Sequence, residues 1–172
     1  MNSNIILKKY QSLSEMENVI DKNKILIRDN QYPNTFVIVS CGNNHTFGFV
    51  TDSFGCDIAY VKDPVCNTSY IGVGKHLMEI NNEGNLVFCK PLRSILVDLI
   101  IRPGKDLIVV CELNIYSMIH NKEKWCIGTT DMVYDYALVN EDKDIKLELG
   151  NGNNILVDIE NGEVSFETKE LK

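Results

Sequence analysis

This sequence has no basic excess, and that absence narrows it first. Seventeen lysines and arginines face 24 aspartates and glutamates, for a formal charge of −7, and the cations are scattered rather than striped. Binding nucleic acid through phosphate neutralisation needs clustered cations, so no nucleic-acid partner is expected. Long hydrophobic runs are missing as well. The most apolar stretch, Ile95 to Ile101, is interrupted by Asp98 and is far too short to span a bilayer. The opening residues, Met1 to Lys9, lack the charged, apolar and small-residue succession of a secretory signal. The expectation is a cytoplasmic chain with no membrane partner.

Histidine is scarce: His45, His76 and His120 are the only three, and they lie far apart. Cys41 and His45 place two soft ligands close together, but no second Cys or His pair completes a tetrahedral zinc site. No serine occupies a Gly-x-Ser-x-Gly elbow. No cysteine sits at an evident helix start or in a basic setting that would lower its pKa. The run Tyr70-Ile71-Gly72-Val73-Gly74-Lys75-His76 superficially suggests a phosphate loop. A P-loop, however, needs four residues between its glycines and Ser or Thr after the lysine. No catalytic residue, metal or cofactor is expected.

What is present is ordinary for a globular protein, with 44% hydrophobic and 24% charged residues. The length suits one full core, hence a single domain over 1–172. Six cysteines would permit three disulfides in a secreted domain. Four of them (Cys41, Cys89, Cys111 and Cys126) lie in apolar runs, where free cysteine behaves as a small core hydrophobe, and buried thiols are expected.

Ser14-Glu15-Met16-Glu17 has the form of a capping box. With Leu13, Met16, Val19 and Ile20 at helical spacing, it predicts one short helix ending near Asp21 to Asn23. From Lys24 onward, short runs rich in Val, Ile, Leu, Phe and Tyr alternate with turn chemistry, the pattern of an antiparallel β protein. Arg102-Pro103-Gly104-Lys105 suits a type I or II turn. Asn151-Gly152 and Asn161-Gly162 suit primed hairpin turns. The last third reads as a meander of Ile145–Leu149, Ile155–Ile159 and Glu163–Thr168.

An internal duplication is the most informative feature. At a shift of 78 residues, Asp57, Ala59, Val61, Gly72, Gly74, Gly84 and Phe88 fall on Asp135, Ala137, Val139, Gly150, Gly152, Gly162 and Phe166. One residue further, Thr51, Asp52, Leu77 and Ile80 fall on Thr130, Asp131, Leu156 and Ile159. Random pairing over this span would give roughly two or three identities at ordinary amino-acid frequencies. Upstream, Ile27-Arg28 resembles Ile101-Arg102, and Phe36 to Cys41 resembles Leu107 to Cys111. The second half then carries an insertion, either a longer hairpin or a short helical excursion. The repeats run approximately over 24–92 and 98–171.

The segments Leu77 to Phe88 and Leu156 to Phe166 resemble a β-propeller hairpin: an apolar-acidic strand, a turn with glycine, and a strand ending in an aromatic residue. Two copies cannot close a propeller, so the resemblance implies two pseudo-symmetric antiparallel sheets, as a sandwich or incomplete propeller. In size, acidity and lack of catalytic motifs the chain is similar to immunity proteins of bacterial polymorphic toxin systems.

The duplication also sorts the candidate residues. Asp52, Asp57, Asp131 and Asp135 could gather as a metal-binding or acid–base cluster. Aspartate beside threonine at a strand end also fixes turns through local backbone amides, and each pair recurs in both halves. Residues of the insertion and its flank, Tyr116, Met118, Ile119, His120 and Trp125, have no counterpart and are of types enriched at binding hot spots. Together these features predict an all-β, non-catalytic protein-binding module, most concretely an immunity protein covering the active site of a basic toxin. The alternatives are a small-ligand-binding or metal-dependent enzyme with its site between the sheets, and a structural subunit of a larger assembly.

Overall fold

The computed structural model describes residues 5–28, 32–41, 45–52, 58–119 and 121–166. Their strands form four sheets of four. The first sheet holds β1 (Ile5–Tyr10), β2 (Ile25–Arg28), β3 (Thr35–Cys41) and β4 (His45–Thr51), in the order β1-β3-β4-β2. The second is a meander of β5 (Ala59–Asp63), β6 (Thr68–Val73), β7 (His76–Ile80) and β8 (Leu86–Pro91). The third runs through β9 (Leu96–Ile101), β10 (Leu107–Cys111), β11 (Asn114–Ile119) and β12 (Lys122–Gly128). The fourth is β13 (Val133–Val139), β14 (Asp144–Leu149), β15 (Asn154–Asp158) and β16 (Val164–Phe166). Neighbouring strands are antiparallel except β2 and β4, which run parallel.

The sheets pack face to face in chain order, and the apolar pattern explains why. Between the first and second lie Val37, Val39, Phe49, Ile71, Val73, Met78 and Ile80. The second meets the third through Leu77, Leu99, Leu107, Val109, Tyr116 and Met118. The other face of the third, with Ile108, Val110 and Ile115, meets Ile145, Leu147, Ile155 and Val157 of the fourth. Strand β10 is therefore buried along its whole length, because a strand covered on both faces must be apolar at every position. In β14, by contrast, buried Ile145, Leu147 and Leu149 alternate with the more exposed Lys146 and Glu148, as expected of a sheet covered on one side. The strands β5 and β9 approach each other closely across the second interface.

The helix forms, but not where the capping motif placed its start. Helix α1 spans Leu13–Glu17, and its cap is Ser12, whose hydroxyl accepts from Glu15 N at 3.2 Å. Glu15 reaches back to accept from Gln11 N at 2.9 Å, so the reciprocal pair sits two residues earlier than Ser14-Glu17. Met16 and Ile20 then bury against Phe36, Ile38 and Val50, covering the outer face of the first sheet. Gly48 allows this approach: a Cβ there would lie 2.4 Å from the Met16 methyl carbon.

The four-stranded blade-like sheet recurs along the chain, and each of the expected halves holds two such sheets rather than one. The second and fourth sheets have the same meander order, and the repeated glycines serve backbone geometry. A Cβ on Gly72 would lie 2.4 Å from Leu96, where the third sheet crosses close. Gly74 and Gly152 both take positive φ. The turn expected at Arg102–Lys105 as type I or II forms as type II, with Gly104 at φ +68° and Lys105 N donating to Arg102 O at 2.9 Å. Asn151-Gly152 and Asn161-Gly162 are not type I′ turns, because only the glycine of each pair has positive φ.

The upstream match of Ile27-Arg28 to Ile101-Arg102 does not hold in space. Strand β9 pairs with β10, whereas β2 lies at the far edge of its sheet beside β4. Strand β1 takes the place next to β3. This rearrangement accounts for the insertion. In the first sheet the edge beyond β4 is filled by β2 from upstream, whereas the third sheet fills the corresponding edge with β12, folded back from β11 as the longer hairpin.

Candidate functional site

The insertion residues take up structural work. Tyr116 and Met118 are 1% and 3% exposed and belong to the core between the second and third sheets. The Tyr116 hydroxyl accepts from Arg93 N at 2.9 Å, and Lys90 Nζ lies 5.6 Å from its ring centre. Burial pushes the Tyr116 phenol up to about 12. Trp125 is half-buried, and its indole N–H donates to Ile159 O at 3.0 Å, tying β12 to the β15–β16 turn. Gly162 makes room for this ring, since a Cβ there would lie 2.8 Å from Trp125 Cγ. Ile119 is half-buried at the same end. His120 lies outside the described residues.

The repeated aspartates come apart likewise. Asp52 follows β4 in the first sheet, whereas Asp131 and Asp135 belong to the approach and start of β13 in the fourth. Asp131 accepts from Met132 N and Asp135 from Tyr136 N, both at 2.8 Å, the local turn chemistry that aspartate commonly supplies. Asp57 lies outside the described residues. Among the described residues, no group of three or more His, Cys, Asp or Glu side chains could hold a metal ion. Of the cysteines expected to be buried, Cys111 is buried and Cys126 half-buried, but Cys89 is exposed on the edge strand β8. An edge strand lacks a neighbour to cover it. Cys41's side chain lies outside the description.

Two opposite ends of the third and fourth sheets carry the groups left over. At one end the β9–β10 turn presents an ion network. Arg102 Nε donates to Asp106 Oδ1 at 2.5 Å and Nη2 to Glu160 Oε1 at 2.6 Å. Lys124 Nζ holds the other Glu160 oxygen at 2.9 Å. Asp106 is buried and also accepts from the Ser117 hydroxyl at 2.8 Å. The two cations hold Glu160 at about 2, well below the usual carboxylate range. A cavity of about 370 Å³ lies beside this network, lined by Ile101, Arg102, Pro103, Leu138 and the charged residues of the β13–β14 turn. That turn contains three consecutive non-glycine residues at positive φ, Asn140, Glu141 and Asp142.

At the opposite end the β10–β11 turn meets the segment leading into β13. Val133 N donates to Glu112 O at 2.7 Å and Thr129 N to Leu113 O at 3.0 Å. These bonds set Leu113 beside Met132 and Tyr134, which are 43%, 50% and 81% exposed. Tyr134 sits where the β13–β14 register shifts, and such a bulge re-aims a side chain. Glu112, Asp131, Asp135 and Glu148 surround the three. Residues 106–121, 125–142 and 147–166 contain no lysine or arginine, so the third and fourth sheets present only acidic charge at this end; the neighbouring cation is the exposed Arg93, next to Ser94, whose hydroxyl accepts from Leu113 N. The sequence held a signal for it in those cation-free stretches, but nothing local marks Leu113, Met132 and Tyr134 as neighbours, because hydrogen bonds between separate loops bring them together.

No family model matches the chain, and no curated protein matches it. Solved structures do. The WD40 β-propeller domain of Doa1 superimposes with a TM-score of 0.54 at 9% identity, over 84% of this chain and 53% of that one. The β-propeller domain of Cps50 (Swd1) from Myceliophteria thermophila gives 0.54 at 11%, over 80% of this chain and 53% of that one. The computationally designed Ika4 protein gives 0.51 at 12%, over 69% and 76%. The chain spans about half the length of the two natural propeller domains. The fold is thus an array of propeller-type sheets, and the likeness extends to the fold alone. No helix among the described residues is long and apolar enough to cross a membrane.

Proposed function

We propose that this chain is a non-catalytic protein-binding module, and that its partner docks at the acidic end through Leu113, Met132 and Tyr134. The observation that carries the reading is the exposure of these three side chains among the carboxylates Glu112, Asp131, Asp135 and Glu148. Exposed aromatic and thioether groups anchor interfaces by releasing water, while surrounding charges steer encounter and select the partner's sign. The partner surface that fits is apolar at its centre and basic at its rim. Propeller-type sheets suit the role because rigid strands hold the presenting loops in place. A narrower form, an immunity protein covering the active site of a basic toxin, is one partner class within this reading; its support is the acidic charge.

Capture from the native host with wild-type chain, a Leu113→Ser/Met132→Ser/Tyr134→Ala variant and a Lys143→Ala control tests it. The expected result is one protein retained by wild type and control and lost by the triple variant. Equal retention by all three overturns the assignment of the acidic end.

A further inference from the structure

The ion network at the opposite end has a property that an inter-sheet staple does not require. Its central carboxylate, Glu160, is 63% exposed, whereas the Arg102 side chain that grips it is 10% exposed and Lys124 27%. The cations are fixed and the anion is the accessible member. Arg102 is anchored from behind by buried Asp106, which is itself held by Ser117. The guanidinium therefore keeps its position whether or not Glu160 is present. Two cavities flank the contact, of about 370 and 270 Å³, and Arg102, Lys105 and Glu160 line both. The larger adds Lys143 and an apolar floor of Ile101, Pro103 and Leu138, with Glu141 and Asp142 at its margin. Of the five guanidinium N–H donors, the two hydrogen bonds just described use Nε and Nη2.

We infer that Arg102 and Lys124 form an oxyanion site in which Glu160 is a resident, exchangeable occupant, and that a carboxylate or phosphate group on an apolar body takes its place. Planar guanidinium forks match carboxylates and phosphates, and the apolar floor beside Arg102 receives the rest of the ligand. Exchange is cheap. The two ion pairs of the exposed Glu160 carboxylate contribute about 0–1 kcal/mol each, so Glu160 weakens an incoming anion by no more than about thirtyfold. The same chemistry can come from a free organic anion or from an acidic side chain of a protein.

The test is an NMR titration of ¹⁵N-labelled wild type, Glu160→Ala and Lys124→Ala at constant ionic strength set with chloride. The probes are inorganic phosphate, benzoate and a hexaglutamate peptide. Saturable shifts at the amides of Arg102, Gly104 and Lys105 are expected in wild type. They should be up to about thirtyfold tighter in Glu160→Ala and weaker than wild type in Lys124→Ala. Benzoate binding tightest identifies a free organic anion as the source; hexaglutamate binding tightest identifies an acidic protein segment. Wild type giving no saturable shift with any probe, even where Glu160→Ala responds, makes Glu160 a permanent staple and overturns the inference.

Discussion

Gly162→Ala probes the packing of the third sheet against the fourth most sharply, and its effect can be worked from three contributions. The residue has φ +77°, where an alanine costs roughly 1–2 kcal/mol. Alanine also narrows the unfolded ensemble, which offsets about 0.4–1 kcal/mol. The decisive part is steric. The new Cβ would lie 2.8 Å from Trp125 Cγ and 3.0 Å from Cδ2, and the ring cannot swing aside without breaking its hydrogen bond to Ile159 O. Overpacking of this kind costs about 1–3 kcal/mol. The net destabilisation should be about 2–4 kcal/mol, lowering the urea midpoint by about 1 M. Gly104→Ala is the matched control: its φ is +68° but its nearest neighbour, a Val65 methyl, lies at 3.5 Å, so only about 1 kcal/mol is lost. Because Trp125 is the sole tryptophan, its emission reports unfolding and local repacking together. Equal midpoints for the two variants, with unchanged Trp125 emission in Gly162→Ala, would refute the claim that this glycine exists to seat the indole.

Asp106→Ala should destabilise by about 3–5 kcal/mol, because it leaves Arg102 and Ser117 without their buried acceptor; a chemical denaturation curve checks this, and a loss below about 1 kcal/mol would speak against an anchored guanidinium. Glu160 has a depressed folded-state pKa of about 2, so its contribution is present above the unfolded value of about 4.3 and is lost as pH falls toward 2. Acid titration of stability should show a slope in that window that disappears in Glu160→Gln and shrinks with added salt. Asp131→Asn keeps an oxygen able to accept from Met132 N and should cost under about 1 kcal/mol with no change in calcium response; a calcium-dependent stabilisation abolished by this substitution would reopen a metal role for the repeated aspartates.

Much of the fold is legible in the sequence because its signals are local. The alternation of Ile145, Leu147 and Leu149 with Lys146 and Glu148, the Pro103-Gly104 turn and the repeated glycines each specify their own few residues. The number of sheets is not local. It depends on β2 leaving its expected place beside β3 for the far edge beside β4, a long-range choice that no short pattern encodes. Misplacing that one strand makes β12 look like an unduplicated insertion, and so makes Tyr116 and Trp125 look free for a partner when they are core and inter-sheet contacts. The repeat also explains the fourth sheet's other face. Ala59, Val61 and Leu77 pack on the third sheet, whereas their counterparts Ala137, Val139 and Leu156 share the opposite face of the fourth with Lys146 and Glu148 and remain partly or fully exposed. Lys146 and Glu148 are the charges on that face.

The most direct test of the functional account is photo-crosslinking in the native host, with benzoylphenylalanine placed at Tyr134 in one chain and at Lys122 in another. Position 134 lies at the acidic end, and position 122 at the tip of the β11–β12 hairpin, where sequence alone would place the partner. A discrete crosslinked protein is expected from position 134 and none from position 122. A product from position 122 alone would contradict it and return the interface to the hairpin.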